Sequence, residues 1–342
     1  MADLARQTVL GPPYGTVLKP YGRALVELAR ARPEVVCLSG DLTRQCEVDL
    51  FQEEFPGRFI HAGMAEANMI GIAGALARQG LMPFVHSFGV FVTRRPLDQI
   101  VNAVAYPRLP VRIVGFMPGV SSPGGPSHQA IEDIALMRAI PGMTVIDVAD
   151  ATETAQVVAA MADVPGPVYL RLKRGEIPVI FGADHEFSLT RAQVLSEGGD
   201  LALIASGMML PAAISAADAL GAAGVSVCVV HVPVIKPLDA GTVTRVVRAA
   251  SAVITAENHS VIGGLGSAVA ETIAEAGLGR PLRRIGLRDT FAEGARTAPF
   301  LFRKYGLGTQ DIVDCAWQLL HRGGPPPRVP VTEAAEGEYA PV

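Results

Sequence analysis

Short apolar runs alternate with helical patterns along most of this chain. The runs end in glycine or polar residues, which is typical of buried parallel strands, and they predict strands at 35–38, 59–62, 82–86, 111–115, 144–147 and 168–171. Apolar residues at helical spacing predict intervening helices at 20–32, 65–77, 95–105, 129–139 and 152–162. Such regular alternation of strands and helices predicts an α/β fold built on a parallel sheet.

The alternation breaks over residues 173–198 and then resumes. The second series predicts strands at 201–205, 225–230, 252–255 and 282–287, and helices at 210–223, 242–249 and 263–275. We therefore expect a second, smaller α/β domain. From residue 323 the chain holds three consecutive prolines and then a polar, acidic stretch, so we expect a disordered tail at 323–342.

Composition narrows the class of protein. Hydrophobic residues make up 49% of the 342 residues, and the mean hydropathy of +0.33 favours burial in a large subunit interface. The net charge of −4 gives no electrostatic footprint for nucleic acid or an anionic membrane. Four widely spaced cysteines predict reduced thiols in a cytoplasmic protein rather than a disulfide frame or zinc site. We expect neither a signal peptide nor a membrane span.

The strongest candidate for chemistry is Glu66. It is the lone carboxylate at the start of a helical pattern of small and apolar residues, and Gly63 precedes it. The helix dipole alone would favour a carboxylate there. The small neighbours would also let a flat ring or another backbone approach closely.

Three further features are ambiguous when taken singly. The glycine- and proline-rich loop at 117–128 ends at His128, and it follows a predicted parallel strand as binding loops often do. Phe88 and Phe91 could be core residues or a stacking face for a heteroaromatic ring. The glycine turn at 263–266 could hold a phosphate on its amides or could serve tight helix packing.

Taken in order, the motifs resemble one family closely. They are G-M-A-E-A-N-M, S-F-G-V-F-V-T-R-R-P-L-D-Q-I, S-H-Q-A-I-E-D-I-A-L-M-R-A-I-P, V-A-D-A-T-E and E-N-H-S-V-I-G-G-L-G-S-A-V-A-E. Together they resemble the carboxy-terminal half of a transketolase, and in particular the separate C-terminal subunit of split transketolases. The resemblance implies a pyrimidine-binding domain at 14–185 and a transketolase C-terminal domain at 197–322.

The resemblance also implies roles for individual residues. The first domain would bind the aminopyrimidine of thiamine diphosphate, with Glu66 as the catalytic carboxyl group. That carboxyl group stabilises the imino tautomer of the ring, and the imine then takes the proton from the thiazolium carbon. Phe91 would stack on the pyrimidine with Phe88 nearby, Leu42 would lie against the cofactor, and His128 would contact the substrate.

One part of the family's site is missing from the sequence. Transketolases hold the diphosphate through a G-D-G motif and a later Asn that bind a divalent cation, and this chain has no G-D-G. We therefore expect an N-terminal partner subunit that carries G-D-G…N and binds Mg²⁺ or Ca²⁺, with no metal bound by this chain. The resemblance implies an α2β2 heterotetramer, and this chain alone should be inactive.

Substrate-binding positions depart from the family pattern. Leu18, with Lys19 beside it, and Gln45 stand where sugar-phosphate transketolases usually carry Arg and Ser, and Gly124 replaces an acidic residue. A loop histidine is replaced by Phe116 or Met117, depending on a one-residue gap.

Only one cation of the expected phosphate-binding set, Arg174, is kept. We expect transfer of a two-carbon ketol unit with altered substrate recognition, on a non-phosphorylated, sulfonated or carrier-bound substrate. The alternatives are a housekeeping sugar-phosphate split transketolase, the beta subunit of a 2-oxo acid dehydrogenase, a fragment of a deoxyxylulose phosphate synthase, and a non-catalytic binding protein on a degenerate transketolase fold.

Overall fold

The structure is a computed structural model that describes residues 9–295 and 297–329. It divides into two compact units. The first contains the described residues up to Pro118 together with Leu136–Leu189, and the second contains Gly119–Ala135 and the described residues from Thr190 onward. Each unit has its own sheet and its own apolar core.

The elements up to residue 189 alternate as the sequence pattern predicts. The strands are β1 Thr16–Leu18, β2 Val35–Ser39, β3 Phe59–His61, β4 Met82–Phe88, β5 Arg112–Phe116, β6 Thr144–Asp147, β7 Val168–Leu172 and β8 Glu176–Pro178. The helices are α1 Pro20–Ala31, α2 Asp49–Glu54, α3 Glu66–Arg78, α4 Gly89–Arg94, α5 Leu97–Gln99, α6 Asp133–Ala139 and α7 Ala151–Ala162. A π-helical segment, Ile100–Ala105, continues α5.

Six strands of the first unit form a parallel sheet in the order β6-β7-β5-β4-β2-β3. Strands β2, β4, β5 and β7 are buried along their whole length, which is why they read as continuous apolar runs. The chain passes from β2 outward to β3 and then returns to the other side of β2 as β4. The strand order therefore reverses at β2, and ligands of open α/β sheets bind at the carboxyl ends of the strands at such a point.

The second unit repeats the α/β alternation. Its strands are β9 Gln193–Val194, β10 Leu201–Ala205, β11 Val227–His231, β12 Val234–Lys236, β13 Ala252–Ser260 and β14 Leu282–Leu287. Its later helices are α8 Leu210–Ala222, α9 Ala240–Ala249, α10 Leu265–Glu275, α11 Ala298–Lys304 and α12 Thr309–Leu319. The sheet order is β14-β13-β10-β11-β9, with β9 antiparallel and the other pairs parallel. None of the helices described is long and apolar enough to cross a membrane.

Two helices begin at other residues than the pattern predicts. The helix expected at 95–105 begins at Leu97, as α5 and the π-helical segment, and a separate helix, α4, precedes it from Gly89. The helix expected at 129–139 begins only at Asp133. The backbone carbonyls just before α6 form hydrogen bonds outside the helix. The carbonyl of Ala130 accepts the N–H of Gly119, and the carbonyl of Ile131 accepts the N–H of Ser260.

The glycine turn before α10 is filled by a side chain of the protein itself. The buried carboxylate of Glu257 accepts the N–H groups of Leu265 at 2.7 Å and Gly266 at 2.9 Å. A Cβ at Gly264 would lie 2.0 Å from a Glu257 oxygen. The glycines therefore serve close packing around an internal cap, and the phosphate-binding interpretation of this turn is wrong.

The chain after α12 differs in part from the expected disordered tail. Trp317 Nε1 donates to the carbonyl of Gly324 at 3.0 Å, and the Gln310 side chain hydrogen-bonds the backbone of Pro327 and Val329. These bonds hold residues 324–329 against α12. The rest of the expected tail, residues 330–342, lies outside the described residues.

Candidate functional site

Glu66 is the first residue of α3, directly after the turn that follows β3. Gly63 takes a positive φ of 70° in that turn, which glycine adopts without steric cost. The Glu66 side chain is only 2% exposed. A buried carboxylate at a helix N-terminus gains from the helix dipole, but burial requires hydrogen-bonding or charged partners as well.

The structure supplies two such partners. Ser87, at the carboxyl end of β4, donates from Oγ to Glu66 Oε1 at 3.3 Å. Arg95 Nη1 lies 2.9 Å from Oε1 and 2.8 Å from Oε2. The sequence led us to expect small apolar surroundings for Glu66, and this is wrong in one respect, because a buried anion is held here by a cation and a hydroxyl group.

Phe88 and Phe91 form the aromatic part of the site. Phe88 ends β4 and Phe91 lies in α4, and their ring centroids are 6.0 Å apart with an interplanar angle of 24°. Arg95 Cζ lies 4.1 Å from the centroid of the Phe91 ring. One guanidinium therefore contacts both the catalytic candidate Glu66 and the stacking candidate Phe91.

The residues that follow β2 pack against the elements that carry Glu66 and Ser87. The N–H of Gly40 donates to the carbonyl of His86 at 3.0 Å. A Cβ at Gly40 would lie 3.4 Å from Met69 Cε and 3.5 Å from Ser87 Oγ, so β2, α3 and β4 approach closely here. Leu42 follows two residues later and is half-buried, in the turn that its own carbonyl closes.

The expected substrate-binding residues of the first unit lie after the carboxyl ends of β2, β5 and β7. Gln45 lies half-buried in the turn after β2. Arg174 follows β7. Burial raises the pKa of the Cys46 thiol well above its usual range, and the positive charge of Arg174 acts against that rise. Met117 follows β5 with a φ of 57°, and its N–H donates to the carbonyl of Leu172 at 3.0 Å.

His128 belongs to the second unit and lies in a loop before α6. Its backbone N–H donates to the carbonyl of Gly125 at 2.9 Å, and its Nδ1 lies 3.0 Å from Ser127 Oγ. The imidazole is half-buried. A Cβ at Gly124 would lie 3.0 Å from His128 Cβ, so the position that departs from the family pattern packs directly on this histidine.

A buried hydrogen-bonded group supports β4 beneath the site. His86 Nε2 lies 2.6 Å from the Tyr21 hydroxyl and Nδ1 lies 3.0 Å from the carbonyl of Leu38. Burial lowers the pKa of His86 to about 4, so the imidazole is neutral at pH 7. The carbonyl can only accept, so Nδ1 carries the proton and Nε2 accepts from Tyr21.

Sequence reasoning missed Arg95, Ser87 and His86. A signal for Arg95 was present, because residues four apart on a helix share a face and Arg95 follows Phe91 by four. The signal was lost when the helix was predicted to begin at residue 95. The chain gives no comparable signal for Ser87 or His86, which read as ordinary members of a strand.

The described side chains form no candidate metal centre. Across residues 9–295 and 297–329, no group of three or more His, Cys, Asp or Glu side chains is placed to bind a metal ion.

Comparison with known proteins gives the family. Residues 16–179 match the transketolase pyrimidine-binding domain, and residues 190–312 match the transketolase C-terminal domain. An uncharacterised transketolase family protein of Sinorhizobium fredii is 42% identical over 310 residues, which cover 90% of this chain and 89% of that protein. The chain belongs to the transketolase family.

Two other members bear on the type of transketolase. The 6-deoxy-6-sulfo-D-fructose transketolase subunit SqwH of a Clostridium species is 42% identical over 303 residues, covering 88% of this chain and 94% of SqwH. A split-gene transketolase solved as an inactive beta4 tetramer superposes with a TM-score of 0.82 at 41% identity, covering 89% of this chain and 97% of that one. This transketolase family chain therefore corresponds in extent to separate transketolase subunits.

Proposed function

We propose that this chain is the pyrimidine-binding, C-terminal subunit of a two-component, thiamine-diphosphate-dependent transketolase that moves a two-carbon ketol unit from a donor to an acceptor. The observation that carries the proposal is the buried Glu66 carboxylate beside the Phe88–Phe91 pair, at the reversal point of a parallel sheet. A carboxyl group and an aromatic face are what an aminopyrimidine needs for hydrogen bonding and stacking.

The side chains around Glu66 support the proposal by their chemistry. Arg95 touches both Glu66 and Phe91, so the carboxylate and the ring lie within reach of a single planar group. Gly40 leaves the floor of this region without a side chain. Glu66, Phe91 and Phe88 would therefore hold the pyrimidine, with Leu42 contributing apolar contact.

When bound, thiamine diphosphate supplies an acidic carbon that becomes the nucleophile toward the ketose carbonyl. The chain's own contribution is to orient and to hold protons. Glu66, which is itself buried, would hold a proton on the pyrimidine ring nitrogen. Ser87 Oγ would keep the Glu66 carboxyl group in place, and His128 would contact the substrate.

We infer that a partner completes the active site. The sequence lacks G-D-G, so the diphosphate and its Mg²⁺ or Ca²⁺ would be held by an N-terminal subunit in an α2β2 assembly. A related chain forming a beta4 tetramer without activity agrees with this division of labour.

The substrate is the open part of the function, and we propose that it is not an ordinary sugar phosphate. Leu18 is 56% exposed where the family usually carries an arginine, and it cannot bind an anion. Arg174 is the one cation kept from the phosphate-binding set that the family usually carries, and one cation binds a terminal anionic group weakly. A sulfonated sugar carries a single negative charge where a phosphate carries about −1.5 to −2, and the relative SqwH acts by its name on such a sugar.

The test is co-expression with a G-D-G partner, followed by titration of thiamine diphosphate and a substrate panel. We expect kcat/KM to be higher for a 6-sulfo ketose or a non-phosphorylated ketose than for xylulose 5-phosphate. Arg174→Gln should lower kcat/KM for charged substrates and leave the neutral ketose unchanged. High efficiency with xylulose 5-phosphate alone would contradict the substrate proposal and favour a housekeeping transketolase.

A further inference from the structure

Arg95 occupies both contacts that the proposed cofactor ring needs. Its Nη1 bonds both oxygens of Glu66, at 2.9 and 2.8 Å, and its Cζ lies 4.1 Å from the Phe91 ring centroid. The guanidinium is planar, donates N–H bonds and stacks on aromatic rings. An aminopyrimidine protonated at its ring nitrogen has the same three properties.

An aminopyrimidine that donates to Glu66 while it stacks on Phe91 would need the place that the Arg95 guanidinium takes, so the two groups would compete for Glu66. Ser87 can stay, because its hydroxyl approaches Oε1 from β4 rather than from the segment that carries Arg95.

We propose that Arg95 is a placeholder, which fills the pyrimidine position in the cofactor-free chain and leaves it when thiamine diphosphate binds. This inference rests on the proposed function. In the cofactor-free chain, Arg95 neutralises an anion that would otherwise be buried and unpaired. The cofactor must displace it, so Arg95 sets the affinity for the cofactor without taking part in the reaction.

The position of Arg95 makes the exchange feasible. Its side chain is 48% exposed while Glu66 is 2% exposed, so the guanidinium can return to water and Glu66 cannot. Arg95 is the C-cap residue of α4, with helical dihedral angles, and lies between the end of α4 and the start of α5.

The experiment measures the Kd for thiamine diphosphate by calorimetry, using the complex of the full chain with its G-D-G partner. Arg95→Met keeps the length of the side chain and removes its charge, and we expect the Kd to fall about tenfold, since a charge-assisted pair no longer has to be broken. Arg95→Lys keeps the charge without the planar group and should lower the Kd by a smaller factor. Arg78→Met, an exposed arginine at the other end of α3, should leave the Kd unchanged.

A second background isolates the Glu66 contact. In Glu66→Gln chains the buried charge is absent, so adding Arg95→Met should change the Kd less than twofold, on the order of experimental error for uncoupled sites. Thermal unfolding of the cofactor-free chain gives an independent readout. Arg95→Met should lower Tm when Glu66 is present and should have little effect when it is combined with Glu66→Gln.

The outcomes separate the two proposals. Wild-type binding with an unchanged or higher Kd in both Arg95→Met and Arg95→Lys overturns the placeholder alone, and a rise would assign Arg95 to holding the bound cofactor. A wild-type complex that binds no thiamine diphosphate overturns the proposed function and the placeholder together.

Discussion

Individual buried residues of the first unit carry charge in different ways. Glu66 is buried against Arg95, whereas Glu47, only 4% exposed, accepts the backbone N–H of Gly22 at 3.0 Å. Desolvation raises the pKa of Glu47 to about 7, and the backbone hydrogen bonds of Gly22 and Tyr21 oppose that shift only in part. Glu47 therefore titrates near neutral pH in the folded chain.

The raised pKa of Glu47 predicts that Glu47→Gln stabilises the folded chain at high pH but not at low pH. The unfolded chain releases this proton near pH 4.5 and the folded chain near pH 7, so stability is lost as pH rises through that window. Glu47→Gln keeps an acceptor oxygen for Gly22 and is always neutral. At pH 8 its free energy of unfolding should exceed that of the wild type by about 3 kcal/mol, and at pH 4 the two should agree. Urea denaturation at both pH values checks this, and an equal difference at pH 4 and pH 8 would contradict it.

The lowered pKa of His86 predicts that its contribution to stability changes with pH in the opposite direction. Its pKa is lowered by burial to about 4, against 6.5 in the unfolded chain, so its contribution to stability is lost as pH falls from 6.5 to 4. His86→Gln should cost stability at pH 7 through lost packing, and that cost should shrink by about 3 kcal/mol by pH 4. Urea titrations of the variant and the wild type, compared at each pH, remove the Glu47 contribution that both share. A cost independent of pH would show that His86 is charged in the folded chain or remains solvated.

At the scale of elements, α3 holds Glu66 by packing closely on the π-helical segment. A Cβ at Gly74 would lie 2.6 Å from the carbonyl oxygen of Ala103 in that segment, whereas a Cβ at Gly71 would meet no atom within 4 Å. The same helix thus offers a constrained glycine and an open one.

Alanine substitutions at these two glycines should change the stability of the chain in opposite directions. Gly71→Ala should stabilise the chain by about 0.5–1 kcal/mol, because alanine has the higher helix propensity. Gly74→Ala should destabilise it by about 1–3 kcal/mol, because the backbone must move to admit the methyl group. Thermal unfolding of both variants checks the difference in sign. Two variants that both raise Tm would mean that α3 does not rest on Ala103.

The strands of this fold could be predicted well from sequence because burial on both faces leaves a simple signature. Apolar runs that end in glycine or polar residues located β2, β4, β5 and β7 to within about two residues at each end. Helix starts were harder. Gly89 reads as a break, but it begins α4, because a Cβ at Gly115 would lie 2.9 Å from Gly89 Cα and the two segments pack on bare backbone.

In the candidate site, too, some features could be predicted from sequence and others could not. The motif located Glu66, Phe88 and Phe91, and the structure places Arg95 in contact with Glu66 and Phe91. The Glu66–Arg95 pair could not be derived from sequence. It depends on where α4 begins and on how α4, which directly follows β4, is placed against the start of α3. For His128 and Arg174 the sequence gives a family role, which stays a prediction.

At the scale of the whole molecule, the chain carries two transketolase domains, one for pyrimidine binding and one C-terminal domain. Its similarity to a transketolase family protein extends over about nine-tenths of its length. The proposed activity requires that a second subunit bring the diphosphate and metal site. It also requires that Glu66, on this chain, control the chemistry once that site is assembled.

The measurement that tests this claim most directly is turnover of the co-expressed complex with Glu66→Gln. We expect the rate of two-carbon transfer to fall at least 10²-fold, on the order expected when a proton-transfer group is lost. Size-exclusion chromatography should show the same assembly as the wild type. Glu53→Gln, an exposed carboxylate of α2, is the matched control and should keep full activity. A Glu66→Gln complex with wild-type turnover would contradict the catalytic role of Glu66.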